Sequence, residues 1–143
     1  MKIQMSELCD IESMGAMPIE HRINLEVLYY KLSYLRSHVN MPLVINTRAV
    51  KSRGYRTLEQ HYNLYEDIMR KTGKMVHIPT KSMHLYGAAA DIYDPTRELQ
   101  KWIREHMKIV EKLDLYMEHF DATPTWVHMQ LYAPESGSRF FLP

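Results

Sequence analysis

Two residues that can bind a metal ion lie seven positions apart in a segment rich in small residues. His84 and Asp91 enclose one glycine and three alanines, and His128 follows 37 positions after Asp91. Two histidines and one carboxylate are the usual protein ligands of a catalytic zinc ion, whose fourth position stays open for water. The three residues therefore predict a metal-dependent hydrolase.

A turn between His84 and Asp91 is needed to bring both side chains to one ion. In an α-helix, seven residues advance about 10.5 Å along the axis, which is too far for a shared ion. Gly87 tolerates the positive φ of a tight turn, and residues 88–93 have the composition of a strand that follows it. We therefore expect the chain to reverse at Gly87, with Ser82 hydrogen-bonding near the site and helping to orient His84.

The first half of the chain predicts two helices with a short buried strand, residues 43–45, between them. Pro18 can open the first helix, because a proline costs no hydrogen bond there, and the break at residues 40–42 ends it. Thr57 is the expected N-cap of the second helix, which runs over residues 57–71. The residues at helical spacing are Ile23, Val27, Leu28, Tyr30, Leu32, Tyr34, Leu35 and Val39 in the first helix, and Leu58, Tyr62, Tyr65, Ile68 and Met69 in the second.

The second half of the chain predicts mainly strands. After the strand at residues 88–93, strands are expected at residues 115–120, 125–131 and 140–142. A third helix starts near Thr96, and its expected inner face consists of Leu99, Trp102, Ile103, His106 and Val110. Helices first and strands last predict one α+β domain, residues 1–143, in which N-terminal helices pack on a small, mainly antiparallel sheet. A chain of this length can bury about two-thirds of its unfolded surface without disulfides.

Three elements follow one another along the chain. Residues 52–56 read Ser-Arg-Gly-Tyr-Arg, residues 82–91 have the pattern Ser-x-His-x-x-Gly-x-Ala-x-Asp, and residues 126–128 read Trp-Val-His. Together they resemble peptidase family M15, the zinc D-alanyl-D-alanine carboxypeptidases and murein endopeptidases, which include small phage endolysins. The resemblance covers roughly residues 43–131 and implies the D-Ala-D-Ala carboxypeptidase or Hedgehog-like fold, whose sheet carries a zinc site.

By this resemblance, the metal ligands are His84, Asp91 and His128, and the metal is Zn²⁺. Arg56 would lie in the substrate cleft, where a guanidinium can hold a peptide carboxylate through two parallel hydrogen bonds. The family often has an aspartate two residues after the last histidine, and this chain has Gln130. The amide oxygen of Gln130 can take the place of that carboxylate in orienting the histidine.

The resemblance leaves two candidates for the general base. Some branches of the family have an acidic residue three positions before the last histidine, but this chain has Thr125 there. Glu118 is the first candidate, because the strand before it can pair with the strand of His128 and direct a carboxylate at the metal-bound water. Asp121 is the second candidate, because a bulge or a longer loop would place it there instead.

Charge and composition limit the function classes. The chain has 18 basic and 17 acidic residues, a net charge of +1 and no long basic run, which argues against nucleic acid as a partner. Cys9 is the single cysteine, so no internal disulfide can form. No segment approaches the ~18 apolar residues of a membrane span, and the N-terminus lacks the apolar core of a signal peptide. We therefore expect a soluble monomer made in the cytoplasm.

The sequence thus leads to two hypotheses of function. In the first, the protein is a zinc-dependent peptidase that cleaves stem or cross-bridge peptides of peptidoglycan. By resemblance it would be a phage endolysin or virion lysin, made in the host cytoplasm and acting on the cell wall after release or as part of the particle. In the second, it is a catalytically inactive, zinc-stabilised cell-wall-binding or structural module, which Thr125 and Gln130 favour because family carboxylates are missing there.

Overall fold

The computed structural model describes residues 3–143, and Met1 and Lys2 lie outside the described part. Within that part the chain has an α+β architecture, as predicted. The α-helices are α1 (Ile11–Met14), α2 (Ile19–His38), α3 (Leu58–Thr72), α4 (Glu98–Glu105) and α5 (Met107–Leu113), and short 3₁₀ turns form at Met5–Glu7 and Met83–Tyr86. The strands are β1 (Ala89–Tyr93), β2 (Tyr116–Glu118), β3 (Trp126–Gln130) and β4 (Phe140–Phe141).

The sheet is mixed, and not purely antiparallel. Its strand order is β1-β3-β2-β4, in which β3 pairs antiparallel with both β1 and β2. The strands predicted at residues 115–120 and 125–131 are present as β2 and β3, which pair with each other. The predicted terminal strand is also present as β4, but it pairs parallel with β2. The Phe140 ring meets the edge of Phe120 with 5.1 Å between ring centres, which fixes this strand beside β2.

Helix α2 begins directly after Pro18, as predicted, but only part of its predicted apolar stripe is buried. Two apolar stripes run along this helix, and only the leucine stripe is buried. Its members are Leu25, Leu28, Leu32 and Leu35, whereas Ile23, Val27, Tyr30 and Tyr34 are exposed. The leucines are the residues that are buried because their side chains are purely apolar, whereas the tyrosines can keep their hydroxyl groups in water.

Helix α3 has the predicted ends but little of the predicted apolar face. Thr57 caps it by accepting a hydrogen bond from the Gln60 backbone, and Gly73 ends it with φ 67°. His61 is the one buried residue of this helix, while Leu58, which was expected to face inward, is 59% exposed. The predicted apolar face is therefore only partly right, because Tyr65 and Met69 are half-buried whereas Leu58, Tyr62 and Ile68 are exposed.

Two further predictions were only partly right. Residues 43–45 form no strand, because only Val44 makes a bridge, to Tyr93 at the free edge of β1. The third predicted helix is interrupted at His106, whose φ of −131° separates α4 from α5. Leu99, Ile103 and Val110 are nevertheless buried, as expected.

The two faces of the sheet have different chemistry. Ala90, Ile92, Met117, Val127 and Met129 are fully buried on one face and belong to the core with the leucines of α2. Because side chains alternate along a strand, their sequence neighbours project from the opposite face, and these include the polar residues of the candidate site. Within residues 3–143, no helix has both the length and the apolar character needed to cross a membrane.

Candidate metal centre

The register of the sheet brings three acidic and basic side chains into one row. Asp91 on β1 is the direct partner of His128 on β3. Met117 on β2 is paired with Met129, so Glu118 continues the row on the far side of His128. Glu118 is in turn paired with Phe141 of β4, whose ring meets the edge of His128 with 6.1 Å between ring centres. The polar face of the sheet thus carries Asp91, His128 and Glu118 side by side.

The 3₁₀ turn before β1 brings His84 to this row. Gly87 ends the turn with φ 70°, and the backbone N–H of Ala88 donates to the carbonyl of Met83. A Cβ at Gly87 would lie 2.5 Å from the carbonyl oxygen of His21, so the position also needs a glycine for space. The predicted reversal at Gly87 is confirmed, and it places His84 Nε2 3.3 Å from Asp91 Oδ2.

A backbone carbonyl orients His84. Its Nδ1 lies 2.9 Å from the carbonyl oxygen of Gly54, and a carbonyl only accepts hydrogen bonds. Nδ1 therefore carries the proton, and Nε2 presents its lone pair toward Asp91. Ser82, which was expected to orient this histidine, makes no side-chain capping bond, and its backbone oxygen accepts from Leu85.

Gln130 orients His128 in the way that the sequence suggested. Its amide nitrogen donates to the carbonyl of Tyr132 at 2.8 Å, so its amide oxygen is the atom that faces the histidine. This oxygen lies 2.8 Å from Nε2 of His128 and accepts its proton. Nδ1 of His128 then faces Asp91 Oδ1 at 2.9 Å. Each histidine therefore uses one ring nitrogen for the Gly54 or Gln130 oxygen and directs its other ring nitrogen at the Asp91 carboxylate.

This arrangement suits a cation between the three side chains. One ligand atom from each of His84, Asp91 and His128 lies within 4.8 Å of the other two. The histidine side chains are 4% and 7% exposed and that of Asp91 is 17% exposed. A nitrogen lone pair that faces a carboxylate oxygen across about 3 Å is repelled unless a proton or a metal ion lies between them. The buried His84–Asp91–His128 group can therefore hold a metal ion.

The pKa values of the three groups agree with this picture. Burial would raise the pKa of Asp91, but the two histidines hold it far below its ordinary value, so the carboxylate is ionised. Burial lowers the pKa of His84, which opposes a proton on its second ring nitrogen. Burial would also lower the pKa of His128, but its hydrogen bond to Asp91 raises it. A metal ion would replace the proton that His128 otherwise takes up beside the carboxylate.

Arg56 lies beside the metal ligands in a buried position. Its side chain is 7% exposed, and Nη2 is 3.4 Å from Asp91 Oδ2. Its Nε donates to the carbonyl of Ser52, and its Nη1 lies 3.4 Å from Nδ1 of His61. Burial lowers the pKa of this guanidinium, which is the only arginine or lysine side chain paired with Asp91 among the described residues. Arg56 thus holds the carboxylate ligand in place, a contact that the sequence did not indicate.

His61 and Tyr65 belong to the same site, although the sequence gave neither a chemical role. Nε2 of His61 donates to the carbonyl of Pro79 at 2.7 Å, so Nδ1 is free to accept from Arg56. Tyr65 is one helical turn further along α3, and its ring centre is 5.0 Å from that of His61. Their spacing of four residues, on a helix that begins two residues after Arg56, was the sequence signal for both.

The structure separates the two candidate bases. Glu118 is half-buried in the row beside His128, and burial raises the pKa of its carboxyl group while Asp91, His128 and Arg56 all act on its charge. Asp121 is exposed after β2 and lines a surface cavity with Arg104, His119, Phe120 and Phe140. The structure therefore brings Glu118 to the metal ligands, whereas Asp121 faces a different surface.

The chemistry of this centre follows from its own side chains. It combines three metal-binding groups, a carboxylate of raised pKa beside them, and a buried arginine that holds the acidic ligand. Such a set can bind a metal ion and accept a proton next to it.

No protein-family model, curated protein or solved structure matches the chain.

Proposed function

We propose that this protein is a zinc peptidase that hydrolyses peptide bonds in the stem or cross-bridge peptides of bacterial peptidoglycan. The observation that carries the proposal is the convergence of His84, Asp91 and His128 with Glu118 in the next position of the same row. Two imidazole nitrogens and one carboxylate oxygen are a donor set that suits zinc. The peptidoglycan substrate is supported by the resemblance of the three sequence elements to peptidase family M15.

The residues of the chain divide the work of hydrolysis between them. When bound, Zn²⁺ would polarise the scissile carbonyl and lower the pKa of a bound water toward ~7. Glu118 accepts the proton of the attacking water and passes it to the leaving amine. Its raised pKa suits this exchange, because a base works best when its pKa is close to the working pH. Gln130 and the Gly54 carbonyl keep the two histidines in the tautomers that bind the ion.

A second candidate is a zinc-stabilised module without catalysis that binds the cell wall or has a structural role. The burial of the ligands favours it, since the histidine side chains are 4% and 7% exposed, which leaves a substrate little access to the ion. Thr125 is consistent with it as well, because its exposed side chain brings no acid to the site. Activity on peptidoglycan distinguishes the two candidates.

The deciding experiment is digestion of purified peptidoglycan by the zinc-loaded protein, with the released fragments identified by mass spectrometry. We expect new amino or carboxyl termini within stem or cross-bridge peptides, and their loss in the presence of a chelator. Glu118→Gln should retain zinc but reduce turnover by about 10²–10⁴-fold, whereas Asp121→Asn should have little effect. If intact zinc-loaded protein binds peptidoglycan but releases no peptide fragment, the non-catalytic candidate is correct.

A further inference from the structure

Arg53 lies directly beside the metal centre without an assigned role. Its backbone carbonyl accepts a hydrogen bond from the N–H of Asp91 at 2.7 Å, on the edge of β1 that faces away from β3. Its own backbone N–H donates to the amide oxygen of Asn46 at 3.0 Å. Hydrogen-bonded neighbours across a sheet lie about 5 Å apart, so the backbone of Arg53 is held next to that of a metal ligand.

The side chain of Arg53 extends along β1 over the metal face, the face of the sheet that carries Asp91, His128 and Glu118. Its guanidinium carbon lies 4.8 Å from the centre of the Tyr93 ring. Tyr93 is two residues after Asp91 on β1, so the two side chains project from the same face, about 7 Å apart along the strand. The guanidinium therefore lies on the metal face, one row of side chains away from the metal ligands.

The row of side chains beside the metal ligands is aromatic and open to solvent. Tyr93 is the direct partner of Trp126, as Asp91 is of His128. The Tyr93 side chain is 45% exposed, and both Trp126 and Arg53 are half-buried. A peptide bound at the metal ligands can therefore continue over this row and meet the guanidinium.

The guanidinium of Arg53 has hydrogen-bond donors available to a ligand. Stacking on an aromatic ring uses the face of a guanidinium and leaves the five N–H groups in its plane. Among the described residues, the only protein acceptor of these groups is the carbonyl of Ile45, 3.2 Å from Nη1. No carboxylate of residues 3–143 forms an ion pair with Arg53. Arg56, by contrast, is 7% exposed and is paired with Asp91.

We propose that Arg53, stacked on Tyr93, binds a free carboxylate of the substrate peptide within two residues of the scissile bond, an inference that rests on the proposed peptidase function. A carboxylate matches the charge and planar shape of a guanidinium, which binds it through two parallel hydrogen bonds. One residue of an extended peptide spans about 3.3–3.6 Å, so the ~7 Å between the two rows corresponds to two residues. Arg53 thus selects the peptide and takes no part in proton transfer.

The test uses one short peptidoglycan peptide in two forms, in which the carboxylate nearest the scissile bond is free or amidated. For Arg53→Gln we expect kcat/KM on the free form to fall by about 10–100-fold and kcat/KM on the amidated form to change little. Arg53→Lys should not restore the preference, because an ammonium group cannot form two parallel hydrogen bonds. Zinc content should equal that of the wild type in both variants.

Two control variants separate the carboxylate contact from net charge and from loss of the tyrosine hydroxyl. Arg48→Gln removes the same charge from an exposed position, which lines a separate cavity with Cys9 and Asp10. Tyr93→Phe keeps the ring on which the guanidinium lies. Both variants should keep the wild-type preference for the free carboxylate.

A second measurement shows the preference without turnover. A phosphinate analogue of the same peptide, which zinc can bind but the protein cannot hydrolyse, is prepared with the free and with the amidated carboxylate. In calorimetry the zinc-loaded wild type should bind the free form about 10–100-fold more tightly, and Arg53→Gln should bind both forms equally.

The outcomes distinguish this inference from the function on which it rests. Equal affinity of the wild type for the two phosphinates, or binding of neither, would overturn the role of Arg53 even if peptidoglycan is cleaved. Loss of zinc in Arg53→Gln, or an equal loss of activity on both peptide forms, would also overturn it, because Arg53 would then act by holding the Asp91 backbone. If the wild type cleaves neither peptide but its preference for the free phosphinate depends on Arg53, the carboxylate site is correct and the proposed hydrolysis is wrong.

Discussion

The amide oxygen of Gln130 lies 2.8 Å from Nε2 of His128, and this contact determines which nitrogen of the histidine faces Asp91. Because the amide nitrogen of Gln130 is bound to the Tyr132 carbonyl, the amide group cannot turn without losing a hydrogen bond. Gln130, two residues away on the same strand, therefore determines the tautomer of His128. Partners of this kind contribute to metal affinity although they do not touch the metal.

We accordingly predict that Gln130→Leu lowers zinc affinity by about 10–100-fold, because His128 loses the acceptor that fixes its tautomer. Gln130→Glu should retain the affinity or increase it, since a carboxylate accepts the same proton. Competition of each variant with a chelator of known affinity measures the difference. Equal zinc affinity in Gln130→Leu and the wild type would show that Asp91 alone orients His128.

Gly54→Ala should damage the metal site from a distance. A Cβ at this position would lie 2.1 Å from the carbonyl oxygen of Leu8, so the backbone must shift, and the Gly54 carbonyl that orients His84 shifts with it. We expect weaker zinc binding and a lower melting temperature. Gly15→Ala is the matched control, because Gly15 has φ −69° and nothing within 4 Å of the added Cβ. Equal zinc affinity in the two alanine variants would contradict this account of His84.

Glu118 gives a prediction about pH and stability. Burial raises the pKa of Glu118 from 4.5, so the fold favours the protonated carboxyl group. This stabilisation is fully present below the unfolded pKa and is lost as the pH rises through the higher folded pKa. The uncharged Glu118→Gln variant should therefore melt at a higher temperature than the wild type at pH 7 in the presence of a chelator. The difference should disappear near pH 4.

The control for this measurement is Asp121→Asn, which removes a carboxylate from an exposed position. It should leave the melting temperature almost unchanged at both pH values, since an exposed charge is well solvated. A melting temperature of Glu118→Gln that is lower than that of the wild type at pH 7 would show that ionised Glu118 stabilises the site instead.

Arg56→Ala should cost stability, because it removes the guanidinium from a largely buried, ionised Asp91. Removal of one partner of a buried ion pair costs about 3–5 kcal/mol of unfolding free energy. Arg56→Lys should recover little of this, because an ammonium group cannot reach Ser52, His61 and Asp91 together as the guanidinium does. Urea denaturation of the metal-free proteins measures the loss, and Arg70→Ala, at a side chain 68% exposed, should change little.

This prediction also tests the role that the sequence suggested for Arg56. If the guanidinium instead holds a substrate carboxylate, Arg56→Ala would leave the unfolding free energy unchanged and impair cleavage of peptides with a free carboxylate. Cleavage of the same peptides with that carboxylate amidated would then be affected less. The contacts of Arg56 with Ser52, His61 and Asp91 favour the first outcome.

The parts of the structure that could be predicted from the sequence are those fixed by local contacts. The turn at Gly87 and the strand after it lie within the ten residues that carry His84 and Asp91, so their spacing was informative. The ends of α3 were also predictable, because Thr57 and Gly73 act on the adjacent backbone. The role of Gln130 was implied by the family resemblance, in which an aspartate often lies two residues after the last histidine.

Long-range contacts limited the rest. Two apolar stripes of α2 had similar periodicity, and the choice between them depends on what the leucines meet in the core. The parallel pairing of β4 joins residues more than twenty positions apart, and no local pattern marks its direction. The sequence predicted that Arg56 binds a substrate carboxylate but could not give the direction of its side chain, which contacts His61 on α3 and Asp91 on β1.

The direct pairing of Asp91 with His128 also affects the order of events in folding. Joining β1 to β3 closes a loop that contains α4, α5 and β2, and the loss of loop entropy makes this a slow step. Two of the three metal ligands meet only once these strands have paired, so the ion can bind strongly only late in folding. Interactions that form after the folding transition state change the unfolding rate and leave the folding rate almost unaltered. The metal should therefore extend the lifetime of the native state without shortening the time that the chain needs to reach it.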